Sequence, residues 1–251
     1  YNILSKENKI ITSVIRSHPY LYNEVFNNFI NNDLKKILKV KKILNINLND
    51  NFNEWFKQLS YNDRHDINWV NNNYKFEYNT NFLKNNFIDL NFKISSKKFH
   101  KSLIFKNDYF ENLEKNRFSK LLYAGFYNNK NKLISGSLFL LTNKILQYHL
   151  NVTRMEFYRK SPSKAILSNM RKKFNHTNID FFNLGGGLKD DINDGLFKFK
   201  QKFNGDIYDY FLLNIIHLKD EYSNEIKKNS VKIQNESNIN FFPTYRFINS
   251  T

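Results

Sequence analysis

The chain has 251 residues, 41% hydrophobic and 17% aromatic, enough to bury a sizeable core in one large domain or two small ones. It has no cysteine, which excludes a disulfide framework, a zinc-thiolate site and a thiol nucleophile. The formal charge of +16 suits an anionic partner, but the crowding of Lys, Asn, Ile, Phe and Tyr beside only 7 Gly and 3 Pro is also what drift of an AT-rich coding sequence produces.

The arginines are therefore more informative than the lysines: Arg16, Arg64, Arg117, Arg154, Arg159, Arg171 and Arg246. No run of about 18 apolar residues occurs, so no transmembrane segment is expected, and the start has no signal-peptide pattern. A cytoplasmic protein is expected. The first residue is Tyr1 rather than Met, so the natural start is expected to lie upstream.

In chain order, Ile10 to Ile15 predicts a strand, Tyr20 to Ile30 a helix and Val40 to Leu48 a second strand. Phe52, Trp55, Phe56, Leu59, Ile67 and Val70 are spaced as on helices, with a break near Ser60. Tyr74 to Tyr78 predicts a short strand. Thr80 is placed to cap a helix through Phe82, Phe87 and Leu90, and Asp108 to cap one through Phe110, Leu113 and Phe118.

Three strand-like runs follow, Leu121 to Tyr127, Leu133 to Leu141 and Ile145 to Val152, and their short Asn-rich connections demand an antiparallel meander. Ser161 and Pro162 then read as a helix cap and first helical residue, with Ile166, Leu167, Met170 and Phe174 on one face. Ile179 to Leu184 predicts a strand, Gly185 to Gly187 a loop, Leu196 to Phe203 a helix, and Ile207 to Ile216 a last strand before a final helix and tail.

Specific residues carry a resemblance. Tyr148-His149-Leu150, Tyr158-Arg159-Lys160-Ser161-Pro162, Asn183-Leu184-Gly185-Gly186-Gly187 and Leu196-Phe197-Lys198-Phe199-Lys200 through Phe203 occur in order. Ile15-Arg16-Ser17-His18-Pro19 and Phe241-Phe242-Pro243-Thr244-Tyr245-Arg246 flank them. Together they resemble the FemAB-type proteins of peptidoglycan-bridge synthesis, whose C-terminal domain is also described as BioF2-like and belongs to the GNAT-like superfamily.

The resemblance implies an α/β fold, a GNAT-like mixed sheet flanked by helices, arranged as two GNAT-like halves with the first truncated at its N-terminus. Residues 1–73 would be the remainder of the first half, 74–218 a complete acyltransferase domain, and 219–251 a helix and tail packing back on the core. It implies an N-acyltransferase, acetyl or aminoacyl, acting on an amino group of a cell-envelope precursor or amino sugar. Acyl-CoA or aminoacyl-tRNA would be the donor, a glycan or lipid-linked precursor would carry the acceptor amine, and the inner membrane surface is a candidate for peripheral contact. The alternatives are a basic nucleic-acid-binding protein and a degenerate family member that binds without catalysis.

Acyl transfer to an amine needs a positioned carbonyl and positive or hydrogen-bonding groups where its oxygen gains charge. The resemblance implies that role for Lys200; otherwise it is a solvent-facing lysine on an amphipathic helix. His149 could take the amine proton, or serve as a hydrogen-bonded structural residue; strand alternation sends it to the face opposite Tyr148 and Leu150. The family pattern continues with Ser where this chain has Asn151.

Arg159, Lys160 and the helix start at Ser161 could bind donor phosphate through free N–H groups and the helix dipole, or form an ordinary capped helix. Gly185, Gly186 and Gly187 suit close approach to an acyl chain or acceptor, or simply a positive-φ turn. Asp190, Asp191 and Asp194 read as helix caps rather than metal ligands. Arg16, His18, Arg64, Tyr148, Phe199 and Arg246 are the expected acceptor-side residues, with Arg246 alternatively pinning the tail.

Overall fold

The computed structural model describes residues 10–16, 35–98, 105, 107–188, 191, 193–229 and 242–246. The predicted helix Tyr20 to Ile30 lies outside the described residues, as does His18. The backbone contacts form two compact units, Lys42–Tyr208 and a smaller one joining Tyr1–Lys41 to Asp209–Thr251.

In the larger unit, β2 (Lys35–Asn47) contributes its second half. After it come α1 (Phe52–Gln58), α2 (Tyr61–Asn73), β3 (Lys75–Tyr78), α3 (Asn81–Lys98) and α4 (Asn107–Glu114). The meander is β4 (Lys120–Tyr127), β5 (Leu133–Thr142) and β6 (Ile145–Thr153); α5 (Pro162–Phe174), β7 (Phe181–Gly186) and α6 (Gly195–Gln201) complete it. Its sheet runs β2, β7, β6, β5, β4, β3. All neighbours are antiparallel except β6 and β7, which are parallel over Ile145–Gln147 and Phe181–Asn183 only.

Alternation along β4 divides the core. Leu122, Ala124 and Phe126 enter one apolar cluster with Trp55, Ile67, Ile166, Met170 and Phe197, whereas Tyr123 and Tyr127 enter a second with Leu83, Phe87 and Phe110. Helices α1, α2, α5 and α6 thus cover one face, and α3 and α4 the other. Burying each such side chain contributes roughly 1.5–3 kcal/mol.

Caps set the helix starts. Asn51, Ser60 and Asp194 accept from backbone N–H groups of α1, α2 and α6, and Thr80 Oγ1 accepts from Leu83 N at 3.1 Å. The predicted break near Ser60 is that cap. Helix α4 stops at Glu114, short of the predicted Phe118, which is 84% exposed and has nothing to bury.

Two further expectations are corrected. Ser161 precedes Pro162 as predicted, but it lies at φ 50°, in the left-handed region, and its side chain makes no cap bond, because N-cap geometry needs an extended backbone. Gly185 and Gly186 are not loop residues: they end β7, opposite Leu44 and Ile43 of β2. The register slips by one there, so Leu184 is extra, and Gly185 takes φ +73° at this bulge, which glycine alone adopts cheaply.

In the smaller unit, β1 (Thr12–Arg16) pairs antiparallel with β8 (Asp206–Ile216), whose Leu213 and Ile215 pack with Ile15 and Ile37. Helix α7 (Lys219–Asn229) carries Tyr222, whose ring meets Phe242 and Tyr245 and whose hydroxyl bonds Thr244 at 3.1 Å.

Candidate active site

Lys200 lies on the last turn of α6 and is 6% exposed, so it is not the solvated lysine that an amphipathic helix allows. Its Nζ donates to the carbonyl oxygen of Gly186 at 2.7 Å and lies 6.0 Å from the Tyr148 ring centroid. A Cβ on Gly185 would come within 3.4 Å of Nζ. The ammonium, Tyr148, Gly185 and Gly186 therefore form one group, beside the point where β6 and β7 stop pairing.

Two features hold α6 in place. The Asp194 carboxylate accepts from Leu196 N and Phe197 N on Oδ1 and from Leu188 N on Oδ2. Gly187 is required next to it, since a Cβ there would run into that carboxylate. At the far end, Trp55 donates its indole N–H to Phe203 O at 2.7 Å.

His149 goes elsewhere. In the β5–β6 register Leu138 faces Leu150 and Phe139 faces Tyr148, so His149 is the extra residue of a bulge. The bulge breaks the expected alternation: Tyr148 packs on the α5 side and Leu150 on the α3 side. His149 follows Leu150, stacking at 13° on Tyr109 of α4 and pairing its Nε2 with the Tyr109 hydroxyl. Burial pushes the imidazole below its ordinary pKa and the phenol above its own, so the hydrogen bond joins a neutral histidine to a neutral tyrosine.

A cleft of about 420 Å³ opens along the end of β6. Its walls come from α3, from Asn151 to Thr153, from the turn and first residues of α5, and from Phe199 of α6. The turn is a 3₁₀ segment, Met155–Lys160, that exposes Arg159 and sets Lys160 Nζ 4.1 Å over the Trp69 ring. Behind the cleft runs a polar ladder that the sequence did not advertise. Asn151 Nδ2 donates to Gly136 O and Ser137 Oγ, and its Oδ1 accepts from Ser163 and Thr153, which in turn bonds Ser135. Asn151 thus ties β5 to the start of α5.

The start of α5 is anchored from below by Lys164, whose ammonium meets Asp63 at 2.6 Å and Asp66 at 2.7 Å. Burial pushes Asp63 up, but Lys164 and Ser60 outweigh it and hold the carboxyl below its ordinary value. Burial likewise pushes Lys164 down, and the two carboxylates more than reverse it. Nothing in the spacing of residues 63, 66 and 164 announces this pair.

Arg64 Nη1 donates to the carbonyls of Lys57 and Leu59, closing the end of α1. Arg16 ends β1 beside Tyr210. Arg246 closes the turn Thr244–Arg246, and its side chain lies outside the described residues. Asp190 also lies outside them, while Asp191 Oδ1 accepts from Asn193 N.

The FemAB family model matches residues 51–228, well over half of the chain and all of the elements just described from α1 to α6. The chain belongs to the FemAB family. It is accordingly a transferase, on a mixed α/β fold. Among solved structures, FemX is similar at 12% identity and TM-score 0.67, covering 88% of this chain and 76% of its own. L-PGS from Bacillus licheniformis is similar at 11% identity and TM-score 0.59, covering 86% of this chain and 70% of its own. At such identities these likenesses concern the fold. No curated protein matches the sequence. Among the described residues of this FemAB-family chain, no helix is long and apolar enough to cross a membrane.

Proposed function

We propose that the protein transfers an aminoacyl group from charged tRNA to an amino group on a cell-envelope precursor. The observation that carries this reading is Lys200: a buried ammonium fixed on the Gly186 carbonyl, beside Tyr148, where two parallel strands part. An ester carbonyl lying there would have its oxygen next to a preorganised cation as the amine nitrogen attacks its carbon. The tetrahedral species then breaks the ester bond, the ribose oxygen leaves with a proton, and the amine loses one to solvent. No enzyme-bound intermediate is needed, which fits a chain without cysteine.

The start of α5 favours tRNA over acyl-CoA. A pyrophosphate cradle uses successive free N–H groups, but Pro162 has none and Lys164 N–H is committed to Ser161 O at 2.9 Å. Exposed Arg159 and Lys160 suit the spaced phosphates of a polynucleotide. Tyr148 and Phe199, set beside Lys200 in this scheme, face the transferring group, and His149 supports the bulge rather than taking the proton. Most of the large aromatics that a nucleic-acid-binding module would display are packed in the cores.

The test is transfer from radiolabelled aminoacyl-tRNA, or from acyl-CoA, to a peptidoglycan precursor, an amino sugar and an anionic lipid acceptor. Transfer from charged tRNA that is lost in Lys200→Ala is expected. Absence of transfer from both donors, with the chain folded, overturns the reading.

A further inference from the structure

The spacing of Trp55 marks it as an apolar residue of α1, and its ring does enter the core at 4% exposure. Its N–H has a more specific use. Nε1 donates to Phe203 O at 2.7 Å, and the two rings stack with centroids 6.4 Å apart at 14°. Phe203 N in turn donates to Lys200 O at 3.0 Å. Two successive hydrogen bonds therefore run from the indole to the backbone of the residue that carries the ammonium.

Helix α6 needs such fastening. It has seven residues, and an isolated helix that short does not hold its shape in water. Asp194 caps one end. At the other end, where Lys200 lies, both Trp55 Nε1 and Asn204 Nδ2 tie the chain to α1, the second by donating to Gln58 O at 2.8 Å. The Asn204 bond is at the surface, where water competes with it, whereas the Trp55 bond is buried and keeps its full strength.

Trp55 is itself held from α5. Arg171 is fully buried, and its Nη2 donates to Asn47 O at 3.3 Å and to Asp50 O at 3.1 Å, in the turn before α1. Its Cζ lies 4.5 Å from the Trp55 ring centroid, while Nε and Nη1 have no hydrogen-bond partner among the described residues. A buried guanidinium is a costly way to fill space, and here the indole face supplies much of its compensation. The same contact fixes the plane of the indole, and with it the direction of Nε1.

We infer, resting on the role proposed for Lys200, that Trp55 is a positioning residue for transfer. Held by Arg171, its N–H fixes the last turn of α6 through Phe203 O, and so sets the Lys200 ammonium on Gly186 O. An oxyanion donor must be in place before charge develops, and a misplacement of about 1 Å costs on the order of 100-fold in rate. Without the indole N–H, Phe203 O is a buried acceptor with a bond missing, and the last turn moves to find another.

Trp55→Phe keeps an aromatic ring and removes the donor. At a temperature where circular dichroism shows the variant folded, kcat with charged tRNA should fall about 10- to 100-fold while KM stays unchanged. In a Lys200→Ala background the same substitution should lower kcat no further, because the group it positions is gone. A residue that only stabilised the fold would lower the melting temperature and leave kcat as it was. Two readouts need no transfer. Acetylation of Lys200 by acetic anhydride, followed by peptide mass spectrometry, should be slow in the wild type and several-fold faster in Trp55→Phe. The chain has two tryptophans, so its proton–nitrogen spectrum carries two indole signals; Lys200→Met should shift that of Trp55 and leave that of Trp69. This last measurement decides the matter even where Trp55→Phe does not fold. Unchanged kcat in Trp55→Phe overturns the inference, as does an equal loss in the Lys200→Ala background, unchanged labelling of Lys200 or an unmoved Trp55 signal. Active transfer indifferent to Trp55→Phe defeats this inference alone; faster labelling and a shifted signal in a chain that transfers from neither donor defeat the proposed function alone.

Discussion

Lys200 Nζ and Gly186 O lie 2.7 Å apart, joining the last turn of one helix to the end of the strand that precedes it. The bond holds an ammonium at a place where β6 no longer pairs with β7. Lys200→Ala should lower the transfer rate about 100- to 1,000-fold, as when other oxyanion donors are removed, with an unchanged circular dichroism spectrum. Lys200→Arg should not restore the rate, because a planar guanidinium does not match a point charge in that space. Single-turnover kinetics with charged tRNA reads both.

Gly185 bears on the same group through the backbone. Gly185→Ala places a Cβ on a residue at φ +73° and within 3.4 Å of Lys200 Nζ. The left-handed conformation alone costs an alanine about 1–2 kcal/mol. Urea denaturation should show that loss, and transfer should fall further than stability explains because the ammonium is displaced.

Arg159 and Lys160 are exposed cations on the turn before α5. Replacing both by alanine should raise KM for charged tRNA with little change in kcat. The slope of log KM against log salt should become shallower by about 1 for each phosphate that the variant no longer neutralises. An unchanged slope would remove both from the donor path.

Asp63 and Lys164 give a pH signature. Asp63 is held below its ordinary 3.8, so its contribution to stability is complete above that value and disappears as pH falls through the lower folded value. Lys164 is raised above its ordinary 10.5, so its contribution is complete below 10.5 and is lost as pH rises through the higher folded value. Lys164→Met leaves two carboxylates facing each other and should cost about 3–5 kcal/mol near neutral pH. Melting curves between pH 2 and pH 7, compared for wild type and Asp63→Asn, should show a steeper acid loss in the wild type.

His149 adds to the acid sensitivity. Its depressed pKa means that the unfolded chain takes up a proton as pH falls below 6.5 while the folded chain does not, which destabilises the fold progressively. His149→Gln should therefore lose less stability than the wild type between pH 7 and pH 5. Transfer by this variant should persist if the amine proton goes to solvent.

The order of elements from Trp55 to Phe203 was legible because apolar spacing and turn chemistry are local. Thr80 and Asp194 act as caps where their neighbours in sequence say they should, and the break expected near Ser60 is a cap as well. What was not legible depends on partners far along the chain. Gly185 and Gly186 read as a loop because glycine weakens a strand, but Leu44 and Ile43 extend the ladder across them. Tyr148 and Leu150 read as sharing a face, and one inserted residue opposite Leu138 and Phe139 separates them. The lysine motif singled out Lys200 as a candidate, yet only packing could show it buried. The Asn151 ladder has no signature in spacing at all.

The strands β6 and β7 share three parallel pairs and then separate after Gln147 and Asn183. Positions before that fork answer to a ladder on both sides, so change there is restricted by the framework. Positions after it answer to whatever enters. Such a division leaves residues downstream of the fork open to change without disturbing the seam.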